Sequence, residues 1–227
     1  MSDLALGVLQ FLLFIPAVVL HEYAHGWVSY KLGDPTAKMA GRLTLNPIKH
    51  VDPIGTVLLP AIMAFSGGPV FGYAKGVPIN PRYYKDYRKG MMISGLAGPA
   101  TNVLLTLITT AVFWAVYAMT GTLADGLSDG AIEAVNWVLY GLQLFALLNL
   151  SLTFFNLIPM PPLDGSRVLP LFLSDRALQT YHQFERQGMM IFIGVVFLLP
   201  RITGIDLIGA YFDVTVDPIF RLLFGIS

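Results

Sequence analysis

LALGVLQFLLFIPAVVLHEYAH, residues Leu4 to His25, is the stretch on which the fold turns. Its first part, Leu4 to Leu20, is an apolar run close to the about 20 residues a spanning helix needs. It runs straight into His21, Glu22 and His25. Polar groups at the end of a membrane helix are expensive unless they are paired or functional. The run does not read as a cleaved signal: Met1-Ser2-Asp3 supplies no basic start, and no small-residue cleavage site follows. It is expected to be a retained transmembrane helix. Composition agrees. Of 227 residues, 55% are hydrophobic and 12% charged, where soluble domains carry roughly a quarter charged, and the mean hydropathy is +0.66.

Working outward, further apolar stretches fall at about 54–65, 91–119, 132–158, 189–199 and 207–224. The 91–119 and 132–158 stretches are long enough to span. The 54–65 stretch is short and carries Pro60, which suggests a half-helix or a re-entrant hairpin turning at Gly67-Gly68-Pro69. The 189–199 stretch spans only if its helix begins before Gln187, and Asp213, Asp217 and Pro218 interrupt the last one. Segments Ala37–Asn46 and Val70–Asn80 read as short strands or loops at the membrane surface. The expected fold is an all-α polytopic membrane protein with about five to six transmembrane or re-entrant helices and short strands or loops near HEYAH. It forms one domain, 1–227, with a core over 1–170 and C-terminal helices over 171–227.

Charge orients this bundle. Of 14 basic residues, all but Arg201 and Arg221 lie in segments 31–49, 75–89 and 167–186, while the 120–131 loop holds only Asp125 and Asp129. The positive-inside rule puts the basic segments in the cytoplasm, the acidic loop outside and the N-terminus outside. The ends of the first and the 132–158 helices then share the cytoplasmic face. Lys85, Arg88 and Lys89 suit anionic headgroups.

His21-Glu22-x-x-His25 carries the chemistry. Two histidines at i and i+4 share one helical face, about 6 Å apart, which suits one tetrahedral metal. Glu22 is turned about 100° from His21, so it can stand beside a metal without ligating it and take a proton from water. There is no cysteine, so a third ligand must be His, Asp or Glu. His50, His182 and the aspartates are candidates. Asp164 is the best placed, just past a long apolar helix, where Pro159, Pro161 and Pro162 stop the helix and Gly165 allows close approach. It could equally cap the turn before Ser166-Arg167. Asn102 sits one turn into an apolar helix, where it could steady a substrate carbonyl or developing oxyanion or join helices. Ser94 and Gly98 read as small-residue packing. His50 reads as an interfacial turn histidine, His182 as a helix-surface residue, and Gly33-Asp34-Pro35 as a helix stop.

HEYAH, Gly98-Pro99-Ala100-Thr101-Asn102 and Asn156-Leu157-Ile158-Pro159-Met160-Pro161-Pro162-Leu163-Asp164-Gly165 together resemble the site-2 protease family. The segment Leu45–Thr56, LNPIKHVDPIGT, resembles its compact prokaryotic branch. The match runs in order and spacing over 18–170. The resemblance implies a core of three transmembrane helices and an intramembrane zinc metalloprotease. It makes Asp164 the third Zn2+ ligand beside His21 and His25, Glu22 the catalytic base, and Asn102 a residue near the active site. The implied reaction is zinc-dependent hydrolysis of a peptide bond within or next to a substrate transmembrane segment. The implied partners are a transmembrane protein or peptide and membrane lipids, in a prokaryotic plasma membrane with the site toward the cytoplasm. No PDZ-like or CBS-like insertion is legible. An exposed edge at Gly41–Leu45 could hold an unwound substrate by β-augmentation.

Other classes fare worse. Zero net charge gives no reason to expect nucleic acid. A non-catalytic zinc scaffold has no use for an intact Glu22. A metal transporter needs a polar path through the bilayer, which 103–119 and 138–155 scarcely offer.

Overall fold

The computed structural model describes residues 3–52, 55, 75–123 and 128–226. The expected half-helix at 54–65 and its hairpin lie outside the described residues, apart from Gly55. Three long helices form the frame: α1 (Asp3–Lys31), α3 (Tyr87–Leu123) and α4 (Asp129–Leu157). Each contains a segment long and apolar enough to cross a membrane, at Ala5–Lys31, Tyr87–Gly121 and Asp129–Leu157. α2 is a single turn, Thr36–Met39. α4 stops at Leu157, two residues before Pro159, because a proline cannot continue the hydrogen-bond ladder.

The frame is apolar outside and polar inside. Phe11 and Leu12 on α1, Leu104 and Leu107 on α3, and Trp137 and Val138 on α4 are exposed. The largest fully buried side chains include Asn102, Thr106, Asn149 and Thr153. A bilayer gives apolar side chains no reason to turn inward, so small and polar residues make the helix contacts instead. Several of their hydrogen bonds are local, although Asn102 Nδ2 and Asn149 Oδ1 have no partner among the described residues. Thr106 Oγ1 donates to Asn102 O at 2.9 Å, Thr153 Oγ1 to Asn149 O at 2.9 Å, and Asn149 Nδ2 to Phe145 O at 2.8 Å.

The C-terminal part is helical too. α5 (Asp175–Ile193) passes through a wide turn at Gly194–Leu198 into α6 (Leu199–Thr203). The 189–199 stretch therefore belongs to a helix that begins well before Gln187. Its halves, Asp175–Glu185 and Gln187–Thr203, are bent by 59° and make a fourth span only if taken together. α7 (Leu207–Phe224) is a helix despite Pro218. It packs Phe224 and Phe220 against Phe113 and Ala146, and its Asp213, Asp217 and Arg221 leave it short of a fully apolar span. Three to four spans thus stand among the described residues, where five to six were expected with the re-entrant segment included.

No strand occurs among the described residues. The Ala37–Asn46 segment spends its donors on itself: Gly41 N–H bonds Lys38 O and Arg42 N–H bonds Ala37 O. Gly41 turns the chain with φ of 64°, so the expected edge at Gly41–Leu45 is a turn and loop. Asn46 then caps a short 3-10 helix, Pro47–His50.

Candidate metal centre

α1 presents His21 and His25 one turn apart, with their Nε2 atoms 3.0 Å from each other. Asp164 opens the 3-10 helix Asp164–Leu171 that follows α4. Its Oδ2 lies 3.0 Å from both Nε2 atoms. One ligating atom from each of the three residues falls within 4.8 Å of the others. All three residues are buried.

α3 is the back wall. His25 Nδ1 donates to the Ser94 carbonyl at 2.6 Å, and His21 Nδ1 faces Asn102 Oδ1 at 3.3 Å. Between them, a Cβ added at Gly98 would collide with both imidazoles. Residues 94, 98 and 102 recur every four positions, so one face of one helix supplies an acceptor, a gap and an acceptor. Gly95 serves Asp164 and Arg167 in the same way, since a Cβ there would come within 2.8 Å of Arg167 Cβ. Gly165 has no room for a side chain against the end of α4, where the Leu157 and Ile158 carbonyls lie.

These contacts fix the protons. A carbonyl oxygen only accepts, so the outer Nδ1 of each imidazole carries the hydrogen, and a neutral ring then shows a lone pair at Nε2. Burial pushes the Asp164 carboxyl up, but a positively charged His25, hydrogen bonds donated by the two rings when they carry a proton on Nε2, and the Arg167 guanidinium outweigh it. The group is therefore held well below the usual carboxylate range. Two ring nitrogens and an ionised oxygen converge, so positive charge belongs among them, as protons on the rings or as a metal ion in their place. A divalent cation satisfies all three at once. Two imidazoles and one carboxylate with no thiol suit zinc, and three protein ligands leave a position open.

Glu22 borders the same cavity, which has a volume of about 320 Å³ and is lined by Phe14, Leu152 and Phe155 as well as by the three candidate ligands. It takes no part in the ligand trio. Its Oε2 accepts from the Val77 N–H at 2.9 Å. Three residues on, the Asn80 amide is tied to Asp34, fully buried in the turn after α1. Asp34 accepts from Asn80 N–H at 2.7 Å, Ser29 Oγ at 3.1 Å, Thr36 N–H at 2.9 Å and the Thr36 hydroxyl. Burial pushes its carboxyl up, and these donors more than reverse that, so it lies below the usual range.

The structure thus brings His21, His25, Asp164 and Glu22 together. Asn102 is placed behind His21, fully buried, and does not line the cavity. His50 is buried and donates its Nε2–H to Thr44 O at 2.8 Å, away from the centre. His182 lies on α5 beside Glu185. Three contributors escaped the sequence reading. Ser94 acts through a carbonyl that any residue would supply, and Val77 through an amide. Arg167 stands three residues after Asp164, with Nη1 at 3.4 Å from Asp164 Oδ1. That spacing on one 3-10 turn was the available signal.

Helices long and apolar enough to cross a membrane, around an HExxH pattern whose histidines converge with an aspartate in a group that could hold a metal ion, fit the class of membrane metallohydrolases. Residues 9–200 match the model of peptidase family M50, and the chain belongs to that family. It agrees with the resemblance carried by HEYAH, GPATN and NLIPMPPLDG. The Bacillus subtilis (strain 168) protein named "Putative zinc metalloprotease YwhC" is 36% identical over 187 residues, covering 82% of this chain and 78% of that one. The Mycolicibacterium smegmatis protein named "Putative zinc metalloprotease Rip2" is 27% identical over 205 residues, 88% of this chain and 71% of that one. Its Mycobacterium tuberculosis H37Rv namesake is 29% identical over 194 residues, 84% and 67% of the two chains. No solved structure matches.

Proposed function

We propose that the chain is a zinc-dependent endopeptidase that hydrolyses a peptide bond within or next to a transmembrane segment of its substrate. His21, His25 and Asp164 are the ligands and Glu22 is the catalytic base. The observation that carries this reading is the convergence of two Nε2 atoms and one carboxylate oxygen, with Glu22 in the same cavity. Zinc, when bound, supplies a Lewis acid that polarises a carbonyl and acidifies water.

The residues then divide the labour. The apolar cavity wall receives the side chains of an unwound membrane segment. Glu22 takes the proton from water as the water oxygen bonds to the carbonyl carbon, and passes it to the amine as the C–N bond breaks. The Val77 N–H keeps Glu22 turned toward the cavity. Asn102 enters through His21, by orienting the ring whose other nitrogen ligates. The domain spans 1–227, with the site in the 1–170 core.

The test is Glu22→Gln. It is expected to abolish cleavage of a membrane-inserted peptide while metal content stays near one per chain. Loss of the metal together with activity would remove Glu22 from the role of base.

The basic segments 31–49, 75–89 and 167–186 favour a multi-pass protein of the bacterial cell membrane, with the site toward the cytoplasm. In this cysteine-free chain, Asp129→Cys should react with an impermeant thiol reagent in spheroplasts, and Arg176→Cys only after the membrane is opened. Labelling of both from outside would contradict a shared site for His25 and Asp164.

A further inference from the structure

Hydrolysis by the proposed route puts negative charge on the scissile carbonyl oxygen, and a preorganised donor there is a large part of catalysis. Asn102 was the sequence candidate for that donor. It is fully buried behind His21 with its Oδ1 toward the ring, outside the cavity. Asn156 borders the cavity but turns its amide nitrogen back to the Leu152 carbonyl at 2.9 Å. The Val77 N–H is spent on Glu22.

Arg167 remains, the one Lys or Arg among the described cavity-lining residues. Asp164 turns Oδ2 to the two imidazoles and Oδ1 to Arg167 Nη1 at 3.4 Å. The guanidinium therefore stands one carboxylate's width from the metal locus. The ion pair is long and uses one nitrogen of a group with five N–H donors. Nη1 itself is buried with no hydrogen-bond partner among the described residues. Gly95 leaves the space in which the arginine stem lies against α3. An always-charged planar fork held this way suits an oxygen that gains charge only during reaction.

We propose that Arg167 is a catalytic residue that donates to the scissile carbonyl oxygen as water adds to the carbonyl carbon. The inference rests on the endopeptidase reading.

The test compares wild type with Arg167→Lys and Arg167→Met on a fluorescence-quenched transmembrane peptide in micelles. Metal retention after mild chelation and binding of a phosphonamidate analogue of the same peptide are measured alongside. Arg167→Met should lower kcat by about 10²–10³-fold, with KM changed little and metal retained. Its affinity for the anionic phosphonamidate should fall in parallel, and Arg167→Lys should recover part of both. Unchanged kcat and phosphonamidate affinity in Arg167→Met overturns the proposal. So does metal loss matching that of Asp164→Ala, which would reduce Arg167 to a support for Asp164. If wild type does not cut the peptide, the endopeptidase reading fails on that probe, and phosphonamidate binding still decides the role of Arg167.

Discussion

Two buried aspartates follow two of the long helices, Asp34 after α1 and Asp164 after α4. Both are shielded from water, and both carboxyls lie below their ordinary range. They differ in what surrounds them. Asp34 receives four hydrogens, two from backbone amides and two from hydroxyls. Asp164 points one oxygen at two ring nitrogens whose partners on the far side demand the proton. A carboxylate saturated with donors is a structural joint. A carboxylate facing acceptors needs a cation. Counting hydrogens separates the two where burial and charge do not.

The largest effect that could break this contrast is at Asp164. Asp164→Ala should strip the metal under mild chelation and reduce proteolysis to background, measured as metal per chain and cleavage rate. Wild-type metal retention would mean that another group ligates.

An intermediate effect is expected at the partner that fixes a proton on the acceptor side. Asn102→Leu leaves His21 Nδ1 without its acceptor. Metal affinity should fall about 10–100-fold, as for other partners that orient a ligand, read by competition with a chromophoric chelator. Unchanged affinity would show that burial alone holds the ring.

The smallest effect on the metal, and a clear one on stability, belongs to Asp34. Asp34→Asn places an NH2 group against donors and should cost about 1–3 kcal/mol, read as a lower Tm in detergent with full metal content. The pH dependence has a definite sign. The folded carboxyl is depressed, so its contribution is complete above the unfolded value of about 3.9 and is lost as pH falls through the lower folded value. The Tm gap between wild type and Asp34→Asn should stay constant from neutral pH to about 4 and close below it. A gap that widened on acidification would reverse the assignment.

The sequence was most informative where residue type and spacing carry the chemistry. His21, Glu22 and His25 are a local i, i+4 pattern, and Asp164 follows a proline-stopped helix, so both sides of the centre were legible. The spans at 91–119 and 132–158 were legible from apolar length. What stayed hidden acts through the backbone or through distance. Ser94 and Val77 contribute main-chain atoms, which no residue identity advertises. Asp34 read as a helix stop because its Asn80 donor lies 46 positions away. Asn102 was singled out for its polarity, yet polarity alone could not tell which side of His21 it would occupy. The loops near HEYAH were open between strand and coil, since a strand depends on a partner that local sequence does not name.

The stripe of Ser94, Gly98 and Asn102 on α3 has a mechanical consequence. Both outer imidazole nitrogens lean on one rigid element, so a slide of α3 along α1 displaces both supports together and in the same direction. Such a motion is common-mode: it tips the two rings in parallel and leaves the 3.0 Å spacing of their inner nitrogens nearly untouched. Supports on two separate helices would convert every relative movement into a differential error at the metal. Under the proposed function, the helices can therefore shift to admit a substrate while the spacing of the two ring nitrogens holds.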